Sequence, residues 1–243
     1  KQLSYHEAME LSHFGAKVIY PPTLQPVAEK NIPVVVKNTF QPNEPGTFIS
    51  NKSASNGEVV RGISYIENIA LLTLEGSGMI GIPGYSKKLL STLAKAKINV
   101  IMMTQASSEH SICIGIENDL ATQAKKLIEK DFDYEIETQR INPISIENNL
   151  SIIALVGEKM KSFQGISGKM FSALGRNNVN VKAIAQGASE RNITAVIDST
   201  NTKQALNILH EAFFEEDIKQ INLFITGVGN VGSKLIEQLN SQK

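Results

Sequence analysis

The stretch LLTLEGSGMIGIPGYSKKLLSTLAKAKINV, residues 71–100, recurs 81 positions later as IIALVGEKMKSFQGISGKMFSALGRNNVNV, residues 152–181. The match extends without a gap from 69–132 onto 150–213, and 18 of the 64 aligned pairs are identical. Chance similarity between two α/β segments would drift in register. A gapless match of this length therefore indicates that the chain contains one structural unit twice.

Both copies predict the same order of elements. The predicted strands are apolar runs at 69–75, 98–106 and 111–117 in the first copy and at 150–156, 179–187 and 192–198 in the second. Apolar residues at helical spacing, such as Leu89 and Leu93, predict a helix after the first strand of each copy. Further helices are predicted at 119–130 and 201–212, and short polar connections between the later strands indicate hairpins. With DYEIET (133–138) as a candidate closing strand, the order β-α-β-β-α-β indicates an α+β fold of two tandem ferredoxin-like units.

The predicted strand 98–106 is apolar on both faces. Val100 and Met102 alternate with Ile101 and Met103, so neither face has the polar pattern of a solvated sheet surface. One face can carry the two helices of its own unit, and the other needs a separate cover. The second copy is the available cover, so we expect the units to pair, either within the chain or across a dimer.

The segments that flank the repeat have their own signals. Ser4 and Glu7 form a capping-box pattern that predicts a helix, with Gly15 as its C-terminal cap. Residues 41–58 are rich in Pro, Gly, Asn and Ser, which predicts a turn and linker. The strand candidate 59–66 follows, and we expect it to cross over and complete the sheet of the second unit, which lacks an obvious closing strand of its own.

Composition excludes several classes of protein. The chain has 243 residues and a formal net charge of zero, so no global field favours nucleic acid or an anionic membrane. No apolar run approaches the ~18 residues of a membrane span. The one cysteine, Cys113, lies in an apolar run and predicts a buried thiol in a reducing, cytoplasmic setting. The first residue is Lys rather than Met, so we expect a piece of a longer polypeptide.

Two tandem units of this kind resemble ACT domains, which sense amino acids. Upstream, Y-x-E-A-x-x-L-x-x-x-G-A-K-V (5–18) and IPVVVKNTFQPNEPGT (32–47) resemble the C-terminal end of an aspartokinase catalytic domain. Downstream, INLFITGVGNVG (221–232) is similar to the start of a dinucleotide-binding domain. The order of these parts resembles the middle of the bifunctional aspartokinase–homoserine dehydrogenases.

This resemblance implies a division into four parts. They are the end of a kinase domain with a linker (1–58), a first ACT module (59–140), a second ACT module (141–217) and the start of an NAD(P)-binding Rossmann domain (218–243). A parent polypeptide of this family would use ATP for its kinase and NAD(P) for its dehydrogenase. The lysine- and glycine-rich motif at the start of the family's kinase domain is absent from this sequence. We therefore expect no catalytic residue, no bound cofactor and no turnover in this chain alone.

The pattern G-x-G-x-x-G occurs twice, with different interpretations. The copy at 76–81 is replaced by VGEKMKS in the repeat, so the unit does not depend on it, and no acidic residue ends the next strand. That copy indicates a flexible loop at a helix N-terminus. The terminal copy, Gly227, Gly229 and Gly232, follows an apolar run and predicts a dinucleotide fingerprint, but the second strand of such a site lies beyond residue 243.

A free amino acid needs N–H donors for its carboxylate, carbonyls for its ammonium and a selective partner for its side chain. The loop from Met79 to Ser86 can supply the donors, because it opens the first helix of the repeat. Gln105 is the candidate selector, since an amide both donates and accepts and so matches a hydroxyl. It recurs as Gln186, and the resemblance implies that glutamines at these positions bind threonine in threonine-sensitive relatives. The predicted effector residues are Met79, Ile82, Gly84, Tyr85, Ser86, Val100, Ile101, Gln105, Ala106 and Gln186.

The ligand remains open between threonine, lysine and another amino acid. Lysine would need an acid for its second ammonium, and residues 97–108 contain none. The resemblance adds that lysine-sensing relatives carry Asp where this sequence has Ile101. It favours threonine and an allosteric homodimer or higher oligomer formed through the ACT modules; a free-standing sensor and a lysine-regulated aspartokinase remain the alternatives. No metal site is predicted, because the four histidines show no ligand spacing.

Overall fold

A computed structural model describes residues 1–15, 18–52, 59–105, 110–187, 191–215, 226–227 and 229–241. The chain divides into two compact units, Lys1–Phe213 and Phe214–Lys243. The larger unit holds a three-stranded sheet near the N-terminus and a six-stranded sheet formed by the repeat. No helix in the described part of the chain has the length and apolar character needed to span a membrane.

The N-terminal segment forms a small α/β layer. Its elements are β1 (Gln2–Ser4), α1 (Tyr5–His13), α2 (Leu24–Glu29), β2 (Val34–Val36) and β3 (Thr47–Ser50). The capping box is confirmed: Ser4 Oγ accepts from the Glu7 backbone N–H at 3.1 Å, and Glu7 Oε2 accepts from that of Ser4 at 2.8 Å. Gly15 follows α1 with a φ of 111°.

The linker predicted at 41–58 is only partly a linker. Residues 47–50, TFIS, form β3, which is the central strand between β1 and β2. Ile49 is buried against Tyr5, Ala8 and Leu24. The prediction failed there because the Pro, Gly and Asn residues on both sides outweighed a short run that contains Phe, Ile and Thr.

The repeat forms two modules with the same elements. The first contains β4 (Gly62–Glu75), α3 (Tyr85–Lys95), β5 (Met102–Gln105), β6 (Ser111–Glu117) and α4 (Ala121–Asp131). The second contains β7 (Ser145–Val156), α6 (Ile166–Arg176), β8 (Val181–Gln186), β9 (Asn192–Asp198) and α7 (Thr202–Phe214). The predicted element order is confirmed, and strand β5 is shorter than the predicted 98–106.

The two modules exchange the first halves of their long strands. Residues 62–66 of β4 pair antiparallel with 152–156 of β7, and residues 145–147 of β7 pair with 71–73 of β4. The segment predicted to cross over to the second module thus does so from Gly62 onward, and the second module returns an equivalent strand to the first. As a result the six strands run in the order β5-β6-β4-β7-β9-β8.

The returning strand also corrects one prediction. Residues 133–138 do not close the first sheet, because Asp133–Glu137 forms a short helix, α5. The edge that this segment would have filled is already paired with residues 145–147. An Asp and two Glu residues in five positions also disfavour a strand.

The exchange extends the repeat to residues before 69 and before 150. Asn68 and Asn149, which are 81 residues apart, both have positive φ, at 61° and 57°, where the two long strands bend. Arg61 N donates to Val156 O and Asn142 N donates to Glu75 O, both at 2.7 Å, so equivalent backbone bonds anchor the two exchanged segments. At the same offset of 81, the pairs Ile63/Ile144, Ser64/Ser145 and Asn68/Asn149 are identical, so side chains and backbone pairing both extend the repeat there.

The second face of each module's sheet is covered by the other module, as predicted. The sheet curls until its edge strands β5 and β8 contact each other. Between them lies a buried cluster from both modules and α1, which includes Leu71, Met102, Ile152, Val196 and Phe14. Cys113 packs at its margin, where burial raises the pKa of the thiol, and this fits the interpretation of an unreactive cysteine.

The smaller unit contains α8 (Asn230–Ser241), which begins within the glycine pattern and includes the stretch SKLIEQL (233–239). Gly227 has a φ of 92°, a conformation that glycine adopts without strain. The strand predicted at 221–225 lies outside the described residues.

Candidate functional site

A cavity of about 270 Å³ opens where the loop after β4 meets the start of α3. Six of the predicted effector residues line it: Met79, Ile82, Gly84, Tyr85, Ser86 and Gln105. Gly81 and Pro83, which belong to the predicted loop 79–86 but were not singled out, also line it, and Ile112 is a lining residue that was not predicted. A side chain on the neighbouring strand, such as Ile112, is reached only through the pairing of β5 with β6, so local sequence gave no signal for it.

The cavity lies at a helix N-terminus that has no side-chain cap. Gly84 is the N-cap residue of α3, and its φ of 110° turns the chain into the helix. The N–H groups of the first helical turn have no partner within a helix, and the helix dipole adds partial positive charge there. This end of α3 can therefore hold a carboxylate through backbone donors.

Gln105 stands on the edge strand β5 and faces the same opening. Ser86 Oγ donates to Gln105 Oε1 at 3.5 Å, which joins the helix start to the strand end. The second module repeats this pair, with Ser167 Oγ donating to Gln186 Oε1 at 3.3 Å beside the N-cap Gly165. Gln186 thus belongs to the equivalent position of the second module and does not line the first cavity.

The structure does not bring the remaining predicted residues into the cavity. Val100 packs into the core under the helices of the first module, and Ile101 packs into the cluster between the modules. Both precede β5, and neither lines the cavity. Ala106 lies outside the described residues.

The second module departs from the first where Ile101 is replaced by Lys182. Lys182 Nζ lies 2.7 Å from Glu147 Oε2, and that hydrogen bond and charge raise the pKa of the lysine. Glu147 belongs to the strand that completes the sheet of the first module. The substitution therefore adds an exposed ion pair between the modules.

A second cavity, of about 290 Å³, shares the lining residues 82–85 with the first cavity and is also lined by charged side chains. Its lining includes Lys88, Glu135 and Arg140, and Lys88 Nζ lies 2.6 Å from Glu135 Oε1. Burial alone would raise the pKa of Glu135. The hydrogen bond from Lys88 and the charges of Lys88 and Arg140 outweigh burial and hold that pKa below its usual range.

We expect Lys88→Met to lower the free energy of unfolding by up to about 1 kcal/mol at pH 7, because Lys88 is half-exposed and solvent screens the pair. A lowered carboxyl pKa stabilises the folded state above the ordinary Glu value of about 4.3 and ceases to do so as pH falls through the folded value. The difference between wild type and variant should therefore shrink below about pH 4. Urea unfolding between pH 3 and 7 measures it, with Lys87→Met as the charge-matched control. A difference that stays constant with pH would contradict the assignment.

In the smaller unit, Ser233 N and Ser233 Oγ both donate to Gly229 O at 3.0 Å, which joins the first turn of α8 to the residue before it. Gly227 and Gly229 thus precede or start a helix, as a dinucleotide fingerprint requires, and Gly232 lies within it. Among the described residues, no group of three or more His, Cys, Asp or Glu side chains is arranged to hold a metal ion.

Comparison with known proteins agrees with this geometry. The family model described as ACT domain matches residues 72–132 and 153–213, two segments of equal length that begin 81 residues apart. The chain is 43% identical over 241 residues to a bifunctional aspartokinase/homoserine dehydrogenase of Haemophilus influenzae. That match covers 99% of this chain and 29% of the relative, so the chain spans less than a third of the relative's length.

Solved structures show the same fold. An aspartate kinase of Clostridium acetobutylicum superposes with a TM-score of 0.78 at 30% identity, over 88% of this chain and 48% of that one. Aspartokinase III of E. coli, in complex with lysine and aspartate, superposes with a TM-score of 0.69 at 27% identity, over 88% of this chain and 46% of that one. The doubled βαββα unit, the exchanged strands and these matches lead to one conclusion: the chain belongs to the ACT-domain family and carries two tandem copies of that domain.

Proposed function

We propose that this chain is the amino-acid-sensing regulatory region of an aspartokinase–homoserine dehydrogenase and that its effector is threonine. The observation that carries the proposal is the lining of the first cavity. It combines an uncapped helix N-terminus with the Gln105 amide, and none of the described residues that line it is acidic. A carboxylate, a hydroxyl and a small apolar group fit such a lining, whereas the second ammonium of lysine would find no counter-charge in it.

In this proposal each part of threonine has a partner of matching chemistry. The α-carboxylate takes backbone N–H groups at the start of α3, and the ammonium takes backbone carbonyls. The hydroxyl bonds to Gln105, which already accepts from Ser86. Ile82 and Pro83 give the methyl group apolar contact.

Gln105→Ala should weaken threonine binding at the first module at least about fivefold, since one well-made hydrogen bond contributes ~1 kcal/mol or more. Isothermal titration calorimetry measures it, with Gln186→Ala as the matched variant at the equivalent position of the second module. An affinity within about twofold of wild type would show that Gln105 is not the selector.

The same titrations with lysine, methionine and isoleucine test the identity of the ligand. Heat with lysine and none with threonine at millimolar concentration would contradict the threonine assignment. That result would favour a lysine-regulated aspartokinase, since the related E. coli aspartokinase III is described in complex with lysine and aspartate. A ligand response without any attached kinase or dehydrogenase sequence in the gene would favour a free-standing sensor.

The wider assignment extends this proposal to the parent polypeptide. We propose the division 1–58, 59–140, 141–217 and 218–243 for the kinase end, the two ACT modules and the dehydrogenase start. ATP and NAD(P) would serve the parent enzyme in a reducing cytoplasmic setting, and this chain alone would be inactive. The mechanism would be allosteric, with the ligand binding one arrangement of the modules more tightly.

We also propose that the modules form a homodimer or a higher oligomer. Ile80 and Ile82 are about half exposed beside the first cavity, and Leu90 is partly exposed on α3. Apolar side chains grouped in this way support a protein contact rather than a solvated surface. Light scattering coupled to size-exclusion chromatography tests it, and a monomer at all concentrations would contradict it.

A further inference from the structure

The two glycine loops are supported alike by equivalent backbone segments. We call residues 76–82 the first glycine loop and residues 157–163 the second glycine loop. A Cβ on Gly76 would lie 2.3 Å from Arg140 O, and one on Gly157 would lie 2.1 Å from Val59 O. Val59 and Arg140 are 81 residues apart, so each loop rests on the equivalent exchanged segment.

Among the described residues, a buried side chain of α1 contacts the second glycine loop and not the first. The Glu7 carboxylate is 2% exposed, and its Oε1 accepts from Glu158 N at 3.1 Å. Its other oxygen accepts from Ser4 N at 2.8 Å. One carboxylate therefore holds backbone donors from two segments more than 150 residues apart in the chain.

Arg61 also lies beside the Glu7 carboxylate. Its Nε lies 3.7 Å from Glu7 Oε1, and the Arg61 side chain is almost fully buried. Arg61 N also donates to Val156 O, directly before the second glycine loop. A buried ion pair is sensitive to the position of each partner, since either charge left alone would be poorly solvated.

A second bond ties the same helix to the same module. Asn192 Nδ2 donates to Glu10 Oε2 at 2.7 Å, and Asn192 is the first residue of β9. The corresponding positions of the first module are Ser77 for Glu158 and Ser111 for Asn192. Ser111 has no amide group to donate as Asn192 does, whereas the Glu158 bond comes from the backbone N–H and depends on α1 lying beside the second loop. The first loop is held by Arg140 O, which accepts from Gly78 N at 2.9 Å.

We propose that Glu7 is a positioning residue that couples the second glycine loop, and not the first, to the N-terminal segment. The second glycine loop contains Glu158 and a 3₁₀ turn, and it leads to Gly165, the N-cap residue of α6. Gly165 marks the position in the second module that is equivalent to the ligand position of the first. A shift of that loop moves the Glu158 N–H, which moves the Glu7 carboxylate and, through Ser4, the junction between the end of β1 and the start of α1. The effect of a ligand on this coupling, which we call the ligand part, rests on the proposed function. The coupling of the loop to the N-terminal segment through Glu7, which we call the mechanical part, does not.

The mechanical part is tested without any ligand. Gly165→Ala and Gly84→Ala place a side chain on equivalent left-handed N-caps, at φ 84° and 110°, with open space around both. Amide hydrogen exchange of the full chain should show residues 2–9 exchanging at least about threefold faster in Gly165→Ala, and unchanged in Gly84→Ala. Equal responses of residues 2–9 to the two variants would overturn the proposal.

Glu7→Gln then tests whether the carboxylate carries the effect. In the Glu7→Gln background, Gly165→Ala should produce no further change in residues 2–9, while Glu10→Gln should leave the response intact. An undiminished response in Glu7→Gln would overturn the role of Glu7. If Glu7→Gln unfolds or detaches α1, the comparison of Gly165→Ala with Gly84→Ala in the wild-type background still tests whether the second loop is coupled to residues 2–9.

The ligand part uses L-threonine as the probe. Threonine should alter exchange in residues 2–9 of wild type and of Gln105→Ala, and should leave them unchanged in Gln186→Ala. The reverse dependence would overturn the coupling to the second loop. Absence of calorimetric heat with threonine would contradict the proposed function instead, and the glycine variants would still test the coupling.

Discussion

Gly157→Ala is expected to lower the free energy of unfolding by about 3 kcal/mol or more. The new Cβ would lie 2.1 Å from Val59 O and 3.2 Å from Val60 Cα, which are backbone atoms of the exchanged segment. Backbone atoms cannot rotate out of the way as a flexible side chain can. Removing the steric clash therefore requires the two modules to move apart. Gly157 is itself buried directly after β7, where the six-stranded sheet leaves little room for that movement.

Urea or guanidinium unfolding measures this effect, and the chain supplies a matched control. Gly175→Ala lies within α6 with no atom within 4 Å of the new Cβ, and helix propensity favours alanine there by up to ~1 kcal/mol. Gly76→Ala, at the equivalent position of the first module, should be as destabilising as Gly157→Ala. A Gly157→Ala protein as stable as wild type would mean that the exchanged segment does not pack as described.

Phe132→Ala is expected to lower the free energy of unfolding by about 3–5 kcal/mol, the range for removing a buried phenylalanine ring. Phe132 is fully buried at the end of α4, its ring stacks on Tyr85 at 6.0 Å, and Lys88 Nζ lies 4.4 Å from its centre. Tyr85 lines both cavities, so the variant should also weaken ligand binding at the first module. Chemical unfolding and calorimetry measure the two effects.

The repeat provides the comparison for this variant. Phe213 is the equivalent residue of the second module, where it is half-buried and Lys169 Nζ lies 5.2 Å from its ring. Phe213→Ala should therefore cost about 1–2 kcal/mol, because less apolar surface is removed from contact. Equal losses for the two variants would contradict the difference in burial between the two modules.

The sequence predicted most of the elements of the fold because their signals are local. Apolar periodicity located the first helix of each module, and apolar runs joined by short polar connections indicated both hairpins. The second helix of each module was also predicted, and the capping box at Ser4 and Glu7 placed the start of α1. Two short segments were interpreted incorrectly: 47–50, which is a strand, and 133–138, which is mostly helix. In both, the outcome depended on whether a distant strand edge was open or already occupied.

For the candidate site, the sequence predicted the glycine loop and Gln105, because the repeat singled out Gly84, Ser86 and Gln105 at equivalent positions. It did not predict that Ile101 turns toward the second module, since the face that a residue presents depends on where its strand begins. Nor did it predict the second role of Glu7. The capping box explains one carboxylate oxygen, and the other is explained only by a backbone N–H at Glu158.

By itself, then, the sequence determined that the chain holds two copies of one βαββα unit and which residues recur in both copies. The tertiary structure decided that the copies exchange strand halves, that they cover each other's sheets and that α1 is bonded to the second glycine loop. The physical reason is the separation along the chain between the groups that interact. Helix periodicity, caps and turns depend on neighbours within a few residues, whereas the partner of a strand edge or of a buried carboxylate is chosen among groups that only folding brings together.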